Sequence, residues 1–177
     1  MDPESLQTLG RHIQGLRVSK GLSLSQLAAA AGIAKSNLSR LEQGAGNPTL
    51  DTSWRLSLQL GVPFGNLIAP VAALVGDAGV QVRLLDQGKD QPAVDAYWMS
   101  VAPHTERQAE AHANGTVEMI CLISGELEVG GAGSIKRLKA GDSHQFAADV
   151  PHLYHSGEHW VTALLTIVYQ HKELSDE

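Results

Sequence analysis

The stretch GLSLSQLAAAAGIAKSNLSRLEQG, residues 21–44, decides the fold of the first part of the chain. Apolar residues recur at Leu24, Leu27, Ala28, Ile33, Leu38 and Leu41. That is helical spacing, interrupted only at Gly32, which can take the positive φ that ends a helix. Ser23 followed by Gln26 has the capping-box pattern, in which side chains satisfy the orphan backbone donors of a helix opening at Leu24. The small Ala28 leaves room for a second helix to cross closely, and Gly44 closes that helix. Two short helices joined by one tight turn are the sequence form of a helix-turn-helix, which makes double-stranded DNA the first partner to consider.

Working outward, Leu6, Leu9, Ile13 and Leu16 repeat at helical intervals upstream, and Leu50, Trp54, Leu56 and Leu60 do so downstream before Gly61 and Pro63. A short fifth helix near Pro63 to Ile68 completes a compact all-α unit. Amphipathic spacing alone would also fit a plain helical bundle with a solvated polar face. Spacing, cap, turn and composition together favour DNA binding. With these residues in view, the block from about Leu6 to Ile68 resembles the DNA-binding domain of the XRE family, the lambda repressor-like class. Two departures are Ala34, where the family usually has a Ser or Thr cap, and Leu24, where some members carry a contacting Gln.

In such a motif the second helix enters the major groove by its N-terminal end, which here presents Lys35, Ser36, Asn37 and, one turn on, Arg40. Lys35 and Arg40 can donate to guanine edges, Asn37 can pair with adenine, and Ser36 can serve base or phosphate. Ser23, Ser25, Gln26 and Asn47 suit phosphate contacts, because short polar side chains and helix N-termini fix register without reading sequence.

The chain has 177 residues and a formal charge of −6, and the helical block uses under half of it. Residues 1–68 carry six Lys and Arg against four Asp and Glu, net +2, whereas the remainder carries seven against fifteen, net −8. Positive charge is kept on the half that would meet phosphates. So small a surplus predicts salt-labile affinity for one copy, and hence a homodimer reading two half-sites. No apolar run reaches the roughly 20 residues that cross a bilayer, and MDPESLQTLG has neither region of a signal peptide, so a cytoplasmic protein is expected. Cys121 stands alone in the strand-like run MICLIS, where a buried inert thiol is expected and no disulfide within the chain is possible.

Residues 69–79, rich in Ala, Pro and Gly, read as a linker, and 80–177 as a second domain. Its texture is of short β-type runs: VQVRLL, VDAYWMSVA, TVEMICLI, ELEVG, SIKRL, HQFA and TALLTIVYQ. Such spacing points to an antiparallel sandwich or barrel, and the absence of long helical patterns between the runs disfavours a parallel sheet. The chemistry lies in HANGTVEMICLISGELEV, 112–129, and GDSHQFAADVPHLY, 141–154. His112 and Glu118 flank a turn centred on Gly115, and Tyr154 shares a strand face with His152. This pair of segments resembles the two cupin motifs, whose fold is a jelly-roll barrel, and the detail AGDSHQFAADVPHLY resembles the cupin half of XRE-cupin regulators.

The resemblance implies His112, Glu118 and His152 as metal ligands, holding a divalent ion such as zinc, iron, manganese or nickel. The departure is Asn114, an amide where the family's first motif has a second His. Two imidazoles and a carboxylate can still hold a divalent ion with open positions, and Glu110 is a substitute ligand to consider. The missing ligand weighs toward the other reading, a metal-free polar pocket of hydrogen-bonding histidines. Either way His112, Asn114, Glu118, His152 and Tyr154 are the candidate ligand-binding residues. Tyr97, Trp98 and Met99 are weighed as cavity lining but read as core packing. His104, His144, His155, His159 and His171 are read as loop or surface residues.

The expected whole is an α + β two-domain regulator: an all-α helix-turn-helix domain that binds an operator, and an all-β cupin that senses a small-molecule effector. The cupin is the expected dimerisation unit and 69–79 the expected hinge. Competing classes are a metal-dependent isomerase or oxygenase fused to a DNA-binding module, and an antitoxin or interaction scaffold with no response to small molecules.

Overall fold

The computed structural model describes residues 1–88 and 90–169, and the chain divides into two compact units after Asp77. The first unit holds five helices, α1 (Pro3–Ser19), α2 (Leu24–Ala30), α3 (Lys35–Glu42), α4 (Leu50–Leu60) and α5 (Phe64–Ile68), followed by the short strand β1 (Val75–Asp77). Both halves of the capping box form: the Gln26 backbone N–H donates to Ser23 Oγ, and the Ser23 N–H donates to Gln26 Oε1. Gly32 ends α2 with φ +63°, in the left-handed region that favours glycine. Ala34 precedes α3 without a side-chain cap.

Leu9, Ile13, Leu27, Leu38, Leu56, Leu60 and Phe64 are buried together as the core of this unit, with Trp54 and Phe64 stacked at 4.7 Å between ring centroids. Helix α3 is seated on α1 at unusually short range. A Cβ added at Gly10 would lie 2.4 Å from the Leu41 carbonyl oxygen and 2.8 Å from that of Glu42. One at Gly44 would lie 2.7 Å from Gln7 Cα. Backbone therefore meets backbone at both ends of that contact. Arg17 of α1 adds an ion pair with Glu42 of α3 and donates from Nη1 to the Leu22 carbonyl at 2.8 Å.

The segment expected as a linker, 69–79, is partly ordered: Val71 and Val75 are buried, 75–77 form β1, and Asp77 Oδ1 accepts from the Leu50 N–H that opens α4. Its Pro, Ala and Gly content hid two isolated valines that carry the burial.

The second unit is all-β. Its strands are β2 (Val80–Gly88), β3 (Ala93–Val101), β4 (Glu106–Ala109), β5 (Val117–Ser124), β6 (Glu126–Gly131), β7 (Lys136–Lys139), β8 (Ser143–Ala147), β9 (His152–Ser156) and β10 (Val161–Tyr169). One sheet runs β2-β3-β10-β5-β8 and the other β4-β9-β6-β7, with antiparallel pairing. Burial alternates along β3, β9 and β10, so one face of each sheet is apolar and the two faces close on each other. Every expected strand is present, and β4, with the polar sequence ERQA, is the addition.

Two side-chain expectations change. Cys121 is half-buried rather than buried, because it alternates with Ile120 and Leu122 and takes the outer position of β5. His144 is a buried strand residue, its Nε2 paired with the Ser134 carbonyl at 2.8 Å, because the alternation of β8 turns it inward with Phe146. His104 and His159 are exposed, His155 is half-exposed on β9, and His171 lies outside the described residues. Tyr97 and Met99 are buried, whereas Trp98 takes the outer face of β3.

Candidate functional site

The first candidate surface is the exposed side of α2 and α3. Ser23, Ser25, Gln26, Lys35, Ser36, Asn37, Arg40 and Asn47 are all exposed. Leu38 and Leu41 turn the opposite side of α3 into the core, so the polar residues share what remains. Arg40 Nη2 donates to the Ala45 carbonyl at 3.1 Å, folding this guanidinium back over the end of its helix. The Oγ of Ser23 and Oε1 of Gln26 are engaged in the cap, leaving the Gln26 amide N–H groups as its outward donors.

The second candidate site joins the two sheets of the β unit. Glu118 projects inward from β5 in one sheet, and His152 and Tyr154 from β9 in the other. His112 comes from the loop between β4 and β5. That loop is laced to the one between β8 and β9: the His112 N–H donates to the Ala148 carbonyl, the Ala148 N–H to that of Thr116, and the Gly115 N–H to Asp149 Oδ2. Gly115, at φ +80°, makes the turn that brings His112 inward.

His112 Nε2 donates to Glu118 Oε1 at 2.7 Å, and the Tyr154 hydroxyl donates to Glu118 Oε2. The two imidazole rings stand edge to face, 4.9 Å apart. His152 Nδ1 donates to the Val150 carbonyl at 2.9 Å, which leaves its Nε2 as a bare lone pair. That atom is buried, has no hydrogen-bond partner, and lies 3.7 Å from Glu118 Oε1. Ligand atoms of His112, Glu118 and His152 all lie within 4.8 Å of one another.

Burial opposes ionisation of Glu118, but the His112 hydrogen bond, the charges of His112 and His152 and the Tyr154 hydroxyl outweigh it and hold the carboxyl below its ordinary value. Burial keeps His152 less basic than a free imidazole despite Glu118 beside it, and so in the lone-pair form a metal requires. Burial and the Glu118 charge push the Tyr154 phenol well above its usual value, so it remains a donor.

These residues fit a divalent metal. A buried imidazole with Nδ1 tied to a carbonyl and Nε2 unpartnered is the arrangement that orients a metal-ligating His. Two imidazoles and one carboxylate leave positions open for a ligand. Asn114 and Glu110 are exposed, unlike the three buried residues of the group, and Glu110 is not one of its members. Sequence reasoning missed Arg107, which β4 sets directly opposite Tyr154. Its signal, a lone Arg in a short polar strand, is indistinguishable in sequence from a surface residue.

The fold and these two sites define a helix-turn-helix DNA-binding protein with an all-β cupin half. A helix-turn-helix family model matches residues 13–67 and a cupin-domain model matches residues 97–168. The HTH-type transcriptional regulator SutR of Escherichia coli (strain K12) is 30% identical over 155 residues, spanning 84% of this chain and 87% of that protein. An uncharacterized HTH-type transcriptional regulator, y4dJ of Sinorhizobium fredii, is 37% identical over 62 residues, 35% of this chain and 80% of that protein. An HTH_3 family transcriptional regulator from Vibrio cholerae has the same fold, with a TM-score of 0.84 at 22% identity over 97% of this chain and all of that one. The chain belongs to the XRE-type helix-turn-helix transcriptional regulators that carry a cupin domain.

Proposed function

We propose that this regulator binds its operator through α3 and that its cupin half binds a small-molecule effector at a divalent metal held by His112, Glu118 and His152. The observation that carries the metal is the buried, unpartnered Nε2 of His152 facing Glu118 Oε1 at 3.7 Å. An orphaned buried acceptor costs about 1–3 kcal/mol, which a bound ion would relieve and a metal-free pocket would not. When bound, such an ion supplies a Lewis-acidic point with open positions.

The chain's own residues do the rest. His152 offers Nε2, oriented by the Val150 carbonyl. His112 offers its ring once the proton it shares with Glu118 leaves Nε2. Tyr154 steadies the second oxygen of Glu118. In the DNA-binding unit, Lys35, Ser36, Asn37 and Arg40 read base edges, and Ser23, Ser25, Gln26 and Asn47 hold phosphates.

The protein acts as a homodimer on two half-sites. The outer face of the larger β sheet supports this: Trp98, Leu164 and Cys121 lie in register across β3, β10 and β5 and are only half-buried. Effector binding shifts operator affinity by favouring one arrangement of the dimer.

The test is fluorescence anisotropy of the full-length protein on DNA from upstream of its own gene, against scrambled DNA, at two salt concentrations, with metal supplied or chelated. Selective binding that changes with metal supports the reading. Equal, salt-labile binding to both DNAs counts against it. The competing reading, a metal-dependent isomerase or oxygenase, predicts chemical conversion of the molecule that alters DNA binding, whereas a regulator returns it unchanged.

A further inference from the structure

We propose that the effector site extends from the His112, Glu118 and His152 group to Thr116, and that the effector carries an uncharged oxygen, a hydroxyl or a carbonyl, that hydrogen-bonds to Thr116 Oγ1. The proposal rests on the reading of the cupin half as an effector site. Among the described residues, two buried side-chain polar atoms have no hydrogen-bond partner: Thr116 Oγ1 and His152 Nε2. A metal accounts for the second and leaves the first unexplained. Thr116 is 1% exposed, so bulk water does not reach its hydroxyl.

Register places Thr116 beside the metal group. Burial alternates here, with Thr116, Glu118 and Ile120 turned inward between the more exposed Val117 and Met119. The ladders of β5 continue to this point: Val117 pairs with Val168 of β10 and Ala147 of β8, and the Thr116 carbonyl accepts from the Ala148 N–H. Thr116 and Glu118 therefore share one face of extended chain, about 7 Å apart. A short carbon skeleton spans that distance. The Thr116 N–H donates to the Ala113 carbonyl, in the loop that carries His112.

The chemistry of the hydroxyl then selects the ligand. The inward donors nearby are already engaged: His112 and Tyr154 donate to Glu118, and Tyr97 and Tyr169 donate to Asp95. Thr116 keeps a hydroxyl that can both donate and accept. Such a group satisfies a neutral oxygen but cannot balance a buried charge, so the part of the effector set against it is uncharged. Valine has the shape of threonine without an orphaned hydroxyl to destabilise the fold. A polar atom kept there despite that cost, beside residues that fit a metal, points to a ligand rather than to packing. Ile120, Phe146 and Ala148 are buried and offer apolar surface to the carbon skeleton.

The test uses the full-length protein with Thr116→Val, which removes the hydroxyl and keeps the shape, and Thr116→Ser, which keeps the hydroxyl. Without metal or ligand, Thr116→Val should melt a few degrees above the wild type, because it deletes an unpartnered buried hydroxyl. A lower melting temperature would show that the hydroxyl has a structural partner, and would overturn the proposal. Each protein is then saturated with cobalt(II), whose visible absorption reports the site, and titrated with 3-hydroxybutyrate, acetoacetate and butyrate. The wild type should bind 3-hydroxybutyrate or acetoacetate at least about tenfold more tightly than butyrate, which lacks the uncharged oxygen. Thr116→Val should lose that preference, and Thr116→Ser should keep most of it. A wild type that binds the three alike or binds none of them, or a preference that survives Thr116→Val, would each overturn the proposal. Failure of cobalt to bind the wild-type protein would instead sink the reading on which it rests.

Discussion

Arg17 and Glu42 form a two-pronged ion pair between α1 and the end of α3, with Nε and Nη2 lying 2.6 and 2.7 Å from the two carboxylate oxygens. Their side chains are 11% and 4% exposed, so neither group keeps much hydration of its own. The Glu42 hydrogen bond raises the Arg17 pKa against the pull of burial, and the guanidinium stays charged. Glu42→Ala strands that cation and should destabilise the DNA-binding unit by about 3 kcal/mol. The double variant with Arg17→Ala should recover part of the loss. Urea unfolding followed by helical circular dichroism measures both, and a loss below about 0.5 kcal/mol would show the pair to be energetically idle.

Two glycines of α1 should respond in opposite directions. Ala normally improves a helix interior by about 0.5–1 kcal/mol relative to Gly. At Gly15, with nothing within 4 Å of an added Cβ, Gly15→Ala should be stabilising by that amount. At Gly10 the new methyl meets the Leu41 and Glu42 carbonyls, which are backbone and cannot swing away, so Gly10→Ala should be destabilising. Thermal melts of the two variants decide it, and equal effects would contradict the close seating of α3.

Arg40→Ala should lower operator affinity by about 1–3 kcal/mol, a loss of about 5- to 150-fold, with metal binding in the cupin untouched. That loss is net of freeing the guanidinium from the Ala45 carbonyl, which the wild type must do before Arg40 reaches DNA. Anisotropy titrations on specific and scrambled DNA should show the loss mainly on the specific fragment. An equal loss on both would reassign Arg40 to phosphate contact.

At the cupin site, Tyr154→Phe should reduce metal affinity about 10- to 100-fold, the usual effect of losing a group that orients a ligand. Glu118→Gln should cost more, since it removes an anionic donor. Equilibrium dialysis against zinc compares them. If both variants bind as the wild type does, His112 and His152 serve the metal-free pocket instead. Stripping metal from the wild-type protein should lower its melting temperature, because an ion that binds only the folded state stabilises it by mass action.

Helices α2, α3 and α4 were legible because each carries a punctuating residue whose backbone demand is local: Ser23 for a cap, Gly32, Gly44 and Gly61 for left-handed turns. The runs that form β3, β5 and β10 were equally legible as strands, but not which of their residues turn inward, so Cys121 and Trp98 stand on outer faces where burial was expected. Strand β4 was not, since ERQA is a strand only because β9 pairs with it. Glu118 and His152 were implied by the resemblance to the cupin motifs, and Tyr154 by its place beside His152, yet their convergence depends on two sheets closing, which no local pattern encodes. Gly10 passed unnoticed because a mid-helix glycine has meaning only once the crossing helix is known. His144 was misjudged for want of the register that turns it inward.

The seat of α3 on α1, made through Gly10 and Gly44 rather than through interlocking side chains, separates foundation from reading head. Lys35, Ser36, Asn37 and Arg40, the base readers proposed above, are exposed and take no part in that seat. On that proposed reading, new operators come within reach of substitutions at these exposed positions, while Gly10 and Gly44 have almost no permitted alternatives.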